Sequence, residues 1–192
     1  MARIILFRGK AGTGKSTLSN ELARILQLPV LHKDDIYDSV AGFVPEHSSR
    51  NQICFDILYR FLEHTIGANA AVILDFGFNN LEDVGRLEGW IEARGGELIK
   101  IRCVCSDETV WSDRLAVRKA RPLPNQLITS LSGLKEHYKN SGPDFIEDEL
   151  IVDTSVPLES SLQHIRSFLR SAGSSQHRSG TAGDQPNHES RR

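Results

Sequence analysis

The sequence predicts an α/β domain in which a parallel sheet lies between two layers of helices, the three-layer P-loop NTPase arrangement. Three observations carry the prediction. Gly9-Lys10-Ala11-Gly12-Thr13-Gly14-Lys15-Ser16 fits the phosphate-binding pattern G-x-x-x-x-G-K-[ST]. Short apolar runs suited to buried strands alternate with segments of helical periodicity, which implies parallel strands joined by right-handed crossovers. The apolar run from Ala70 to Leu74 ends in Asp75, a carboxylate delivered to the edge where such sheets hold their ligands.

Arg3-Ile4-Ile5-Leu6-Phe7 reads as the first buried strand, and the loop behind it is suited to an anion. Gly9, Gly12 and Gly14 can take backbone angles closed to residues with a Cβ, so successive amides can curl into a nest around a β-phosphate. The nucleotide, ATP, is expected to lie along Gly9, Lys10, Ala11, Gly12, Thr13, Gly14, Lys15, Ser16 and Thr17. Lys15 supplies a mobile charge at the β- and γ-phosphates, and the Ser16 hydroxyl is a ligand for the Mg²⁺ that bridges them. The helix that starts here, marked by Leu18, Leu22, Ile25 and Leu26, points its positive end at the same anion.

That helix is expected to end near Gln27, before Pro29, and a brief strand at Val30 to His32 runs into Lys33-Asp34-Asp35-Ile36-Tyr37. Residues 39–49, with Gly42, Pro45 and serines, read as loop or as a loosely helical substrate lid. Asn51 to Gly67 carries Ile53, Phe55, Leu58, Phe61 and Leu62 at helical spacing. After the strand ending at Asp75, Leu81 to Ala93 is a helix closed by Gly95-Gly96, Leu98 to Cys105 a strand and Asp107 to Lys119 a helix. Arg121-Pro122-Leu123-Pro124 interrupts, and Asn125 to Lys139 resumes a helical pattern. Leu150 to Asp153 is the last strand and Pro157 to Leu169 the closing helix, with proline at its start.

From about Ala172 the composition turns to Ser, Gly, His, Arg and Pro. So polar a segment buries too little surface to offset its ordering entropy, so residues 1–171 are read as one domain and 172–192 as a disordered tail. A net charge of -2 gives no global attraction to polyanions, which disfavours nucleic acid as a partner. Cys54, Cys103 and Cys105 form neither an even set nor a C-x-x-C pair, so no disulfide framework or zinc site is expected. No run approaches the ~18 apolar residues of a membrane span, and Met1 leads into the first strand without a signal peptide, so a cytoplasmic location is expected.

Phosphoryl transfer to an alcohol needs a carboxylate that takes the hydroxyl proton, and Asp34 or Asp35, just past the second strand, is placed for it; a helix cap is the other use of an Asp there. Asp75 fits a Walker B carboxylate that holds Mg²⁺. Phe76-Gly77 follows it with no Glu to activate water, which favours a bound acceptor over ATP hydrolysis. Arg114, Arg118 and Arg121, spaced by four and three, share a helix face beside Pro122 and Pro124, where a lid could bring guanidiniums to the transferring phosphoryl. His32, His64, His137 and His164 have no ligand spacing and are expected to be structural or superficial. Trp90 and Trp111 sit in helical periodicities and are expected to pack.

Taken in order, Ile4-Ile5-Leu6 with the glycine loop, His32-Lys33-Asp34-Asp35, Val72-Ile73-Leu74-Asp75 and Arg114-x-x-x-Arg118 resemble the small P-loop kinases grouped around zeta-toxin, chloramphenicol phosphotransferase and the kinase domain of phage polynucleotide kinase. The resemblance covers residues 2 to about 170. It implies a sheet ordered 2-3-1-4-5, Mg-ATP as donor, Asp34 as base with Asp35 beside it at the substrate, and Arg114 and Arg118 as lid residues. The polynucleotide kinases carry an arginine shortly after the Asp pair, where this chain has Ile36-Tyr37-Asp38. A small hydroxylated acceptor is therefore expected ahead of a polynucleotide 5′-hydroxyl. A nucleotide-dependent binding switch or toxin-like regulator is the third reading, and it leaves the acidic pair and the arginines without a task.

Overall fold

In the computed structural model the described residues are 1–120, 123–141 and 145–175. β1 (Ala2–Arg8) lies at the centre, flanked by β3 (Ala71–Asp75) and β4 (Gly96–Val104). β2 (Val30–His32) pairs outside β3 and β5 (Leu150–Asp153) outside β4. All the pairings are parallel and the order is 2-3-1-4-5, the order the resemblance implies. Phe7 and His32 both pair with Asp75, so the ends of three strands stand level and the residues after them share one edge.

Successive strand residues face opposite sides of the sheet, and each side is closed by helices. Ile4, Leu6, Val72 and Leu74 pack against α3 (His47–Gly67) and α4 (Leu81–Glu92) through Leu58, Leu62, Val84, Leu87 and Ile91. Ile5, Phe7, Ile73, Ile99 and Ile101 pack against α1 (Lys15–Leu26) and α7 (Leu158–Ser175) through Leu18, Leu22, Leu162 and Ile165. At about 1.5–3 kcal/mol for each large apolar side chain withdrawn from water, these two layers are the main stabilising term. Among the described residues no helix is long and apolar enough to cross a membrane.

Three segments depart from the periodicity. Residues 33–40 form a helix, α2 (Lys33–Val40), and α3 starts at His47 rather than Asn51, so of the 39–49 stretch, expected as loop or a loosely helical lid, only 41–46 is loop and its two ends are helical. Arg50 closes that turn: it donates to the carbonyls of Val44 and Pro45 and lies over the Tyr37 ring. α5 (Glu108–Ala120) begins as expected, with the Asp107 carboxylate accepting from the Thr109 and Val110 amides. The helix expected over 125–139 shrinks to α6 (Leu131–His137), because the Asn125 amide is drawn to Asp38 Oδ1 at 2.9 Å and Ser130 caps the start of α6. At the other end α7 runs past Leu169, so residues 172–175 are helical rather than tail, since extending an existing helix is easier than nucleating one. Arg121, Pro122 and residues 176–192 lie outside the described residues.

Candidate functional site

The loop between β1 and α1 stands at the level edge of the sheet. Gly9, Gly12 and Gly14 have φ of 131°, 79° and 80°. A Cβ on Gly9 would lie 2.3 Å from the Cys103 carbonyl oxygen of β4, so this position excludes every side chain. The loop is braced from both flanks. Trp111 of α5 donates its indole N–H to the Ala11 carbonyl at 2.9 Å, and Thr154, just past β5, donates its hydroxyl to the Thr13 carbonyl at 2.9 Å. Arg114 then holds Thr154, donating to its hydroxyl and its carbonyl at 2.8 Å each. Lys15 Nζ folds over the loop to the Lys10 carbonyl at 3.0 Å, and Thr13 Oγ1 meets the same carbonyl at 2.9 Å.

Asp75 is buried at the end of β3, where Ser16 Oγ donates to its Oδ2 at 2.6 Å and His32 Nδ1 lies 2.9 Å from the same oxygen. His32 Nε2 reaches Asn20 of α1 at 3.0 Å. Burial pushes the Asp75 carboxyl up, but the hydrogen bond from His32, the Lys15 charge and the Ser16 hydroxyl outweigh it and hold the group ionised below the usual range. The bond to Asp75 in turn raises His32 against its own desolvation. Among the described residues no three His, Cys, Asp or Glu side chains converge as a self-sufficient metal centre. A hydroxyl and a carboxylate on one oxygen cluster fit Mg²⁺, which takes few protein ligands and completes its shell with phosphate oxygens and water.

A cleft of about 600 Å³ opens over the loop and brings together Lys15, Ser16, Asp34, Asp75, Arg114 and Arg118 from four elements. Asp34 lines it and Asp35 does not. Asp34 keeps contact with solvent, yet the surrounding walls desolvate its carboxyl and raise it. The Asp75 charge adds to the rise, against the pull of Lys15, Lys33 and Arg118. Neither Asp is the helix cap; the residue before α2 is His32.

Several lining groups have no signal in the sequence. His47, Asn51, Asn79, Asn125 and Tyr138 arrive from α3, the segments after β3 and α5, and the end of α6. His32 and His137 were expected to be structural or superficial; His32 holds Asp75 and His137 lines the cleft. His32 could have been found by the rule that located Asp75, since it ends a strand level with it. Trp111 packs as expected, with the phosphate loop as its partner.

A parallel 2-3-1-4-5 sheet with a braced glycine loop and a Ser–Asp pair at its edge defines a P-loop nucleotide-binding fold of the kinase kind. The chain belongs to the AAA_33 family, an AAA domain, whose pattern matches residues 4–130. No curated protein sequence matches it. Its fold is similar to that of a candidate kinase from Chloroflexus aurantiacus, with TM-score 0.67, 22% identity and coverage of 87% of this chain and 98% of that one. It is also similar to a gluconokinase from Sinorhizobium meliloti, with TM-score 0.62, 17% identity and coverage of 92% and 96%. A shikimate kinase from Bacteroides thetaiotaomicron matches with TM-score 0.61, 19% identity and coverage of 88% and 98%.

Proposed function

We propose that this protein is an ATP-dependent kinase that moves the γ-phosphoryl of Mg-ATP to a hydroxyl of a small molecule, in the manner of the zeta-toxin, chloramphenicol phosphotransferase and polynucleotide kinase group. The convergence of Lys15, Ser16, Asp75, Asp34 and Arg118 on one cleft carries the reading. The loop amides and Lys15 hold the β- and γ-phosphates, and Arg114 and Trp111 keep the loop in shape. Ser16 and Asp75 supply the protein ligands for Mg²⁺, whose charge offsets that of the phosphate oxygens when it is bound.

Asp34 takes the proton as the acceptor oxygen bonds to the γ-phosphorus. The bond from that phosphorus to the β–γ bridging oxygen breaks, and its electron pair leaves on ADP. A carboxyl raised toward neutrality is a better match for this task than an ordinary one. Arg118 faces the same space and meets the charge that spreads over the γ-phosphoryl.

The size of the cleft, within the usual range for small-ligand sites, supports a small acceptor, as does the likeness to a gluconokinase and a shikimate kinase. The test is a panel of metabolites and 5′-hydroxyl oligonucleotides incubated with Mg-ATP, read by ADP release and by mass spectrometry. A small molecule gaining one phosphoryl group is the expected result. Transfer only to oligonucleotides would replace the acceptor; ATP-dependent partner capture with no phosphorylated product would replace the enzyme by a switch.

A further inference from the structure

Strand order separates the two ends of the cleft. Arg114 and Thr154, which brace the phosphate loop, follow β4 and β5, whereas Lys33 and Asp34 begin α2 directly after β2, the opposite edge strand. α3 supplies His47 and Asn51 to that second end. The Lys33 carbonyl accepts from Cys54 Sγ at 3.7 Å, which ties the first turn of α2 to α3. Its ammonium lies 5.5 Å from the centre of the Phe55 ring, one helical turn past Asn51. Lys33 lines the cleft at the end away from the braces of the loop, while Lys10, another lysine nearby, lies over the Tyr138 ring and is not part of the lining.

What Lys33 lacks is an anion. Among the described residues its ammonium makes no hydrogen bond and no ion pair; Asp34, next in the chain, acts on it through charge alone. The side chain is partly buried, and desolvation is the largest influence on it, pushing the ammonium below its ordinary value. The Phe55 ring offsets some of that cost, and the helix adds to it, because the positive end of α2 disfavours a cation in its first turn. Other charges of this end already have partners: Asp38 accepts from Asn125, and Arg50 donates to the Val44 and Pro45 carbonyls. A partly desolvated ammonium without an acceptor is unfavourable by itself and turns favourable when a ligand brings the counter-charge.

We infer that the acceptor carries an anionic group, a carboxylate or a phosphate, which pairs with Lys33 while the hydroxyl to be phosphorylated lies at Asp34. This rests on the kinase reading and narrows it to an acidic acceptor. The two neighbours then have separate tasks: Lys33 fixes the acceptor by its charge, and Asp34 takes the hydroxyl proton. A neutral molecule of the same shape leaves Lys33 without a partner and is discriminated against for that reason.

The experiment compares acids with neutral counterparts under Mg-ATP, and ATP binding is titrated on the same protein. D-gluconate against D-glucose tests a carboxylate, and D-ribose 5-phosphate against D-ribose tests a phosphate. The expected result is phosphorylation of at least one acid with kcat/KM about tenfold or more above that of its neutral counterpart, the scale of one hydrogen-bonded charge pair. Whichever pair shows the preference identifies the anion. Lys33→Met, which keeps the aliphatic stem, should raise KM for that acid about tenfold and bring the two compounds to within about threefold of each other. Lys33→Arg should retain the preference, and KM for ATP should stay within about threefold in both variants. A neutral compound preferred, or no acid phosphorylated, overturns the inference and leaves the nucleotide site standing. A preference that survives Lys33→Met, equal losses for acid and neutral compound, or a matching rise in KM for ATP assigns Lys33 to packing or to the nucleotide and also overturns it. Failure to bind ATP removes the kinase reading and this inference with it.

Discussion

Arg114 and Thr154, forty positions apart, are joined by two hydrogen bonds of 2.8 Å, and Thr154 passes the connection to the phosphate loop through the Thr13 carbonyl. The arginine therefore acts on the loop through the end of β5 as well as lining the cleft. Arg114→Met should keep the aliphatic packing, lose both bonds and raise the KM for ATP about tenfold, the usual scale for losing charge-assisted hydrogen bonds in a site. Arg114→Lys should recover little of it, since a single ammonium cannot span the hydroxyl and the carbonyl with the fork of a guanidinium. Steady-state kinetics at varied ATP measures both.

Asp34 is raised by desolvation and by Asp75 of β3, and pulled down by Lys15 of α1, Lys33 of α2 and Arg118 of α5. A base works when deprotonated, so kcat/KM should climb with pH through the Asp34 pKa and then level off, with the rise lying above the ordinary carboxylate range. Asp34→Asn should remove that limb and lower kcat by about 10²–10⁴-fold, the usual worth of general-base catalysis, while ATP affinity stays within threefold. An unaltered pH profile in Asp34→Asn would transfer the role to another group.

The close approach of Gly9 to β4 makes a sharp prediction about stability. Gly9→Ala places a methyl 2.3 Å from the Cys103 carbonyl at a φ of 131°. Relieving that contact moves the loop or the strand at about 1–3 kcal/mol, so thermal unfolding should come several degrees lower and nucleotide binding should weaken with it.

Asp38 holds the segment after α5 through the Asn125 amide and side chain. Asp38→Ala should expose the Asn125 amide to solvent exchange and raise the KM for the acceptor more than that for ATP. Hydrogen exchange at Asn125 and two-substrate kinetics measure the pair of effects.

At the end of β5, desolvation pushes Asp153 up, but the Ser106 and Ser155 hydroxyls and amides outweigh it and hold the carboxyl far below the usual range. A depressed carboxyl stabilises the fold above its unfolded pKa of about 3.9 and loses that contribution as pH falls through the folded value. Wild type should therefore lose stability below about pH 4 more steeply than Asp153→Asn, by a small margin because the group is only partly withdrawn from water and is screened by it. Unfolding midpoints measured from pH 7 to pH 3 test this.

Much of the frame follows from local pattern. The Gly9–Ser16 stretch, the short strands at Val30–His32 and Leu150–Asp153, and the carboxylate at the end of β3 are legible in the chain, because strand burial and phosphate-loop geometry each demand particular residues at neighbouring positions. The helices that drifted are those whose ends are set from a distance: α3 starts where Arg50 reaches Val44 and Pro45, and α6 starts late because Asp38 claims the Asn125 amide.

By itself, the sequence determined the layered α/β class, the nucleotide loop and the acidic residues placed at its edge, since all of these are written in short contiguous spacings. Tertiary structure alone decided that Asp34 rather than Asp35 lines the cleft, that His32 holds Asp75, that Arg114 braces the loop through Thr154, and that Asn51, Asn79 and Asn125 reach one cleft from distant parts of the chain. The physical reason is range. Backbone geometry and apolar periodicity act over a few residues, whereas a hydrogen bond between side chains from different strands exists only once the sheet has fixed their distance.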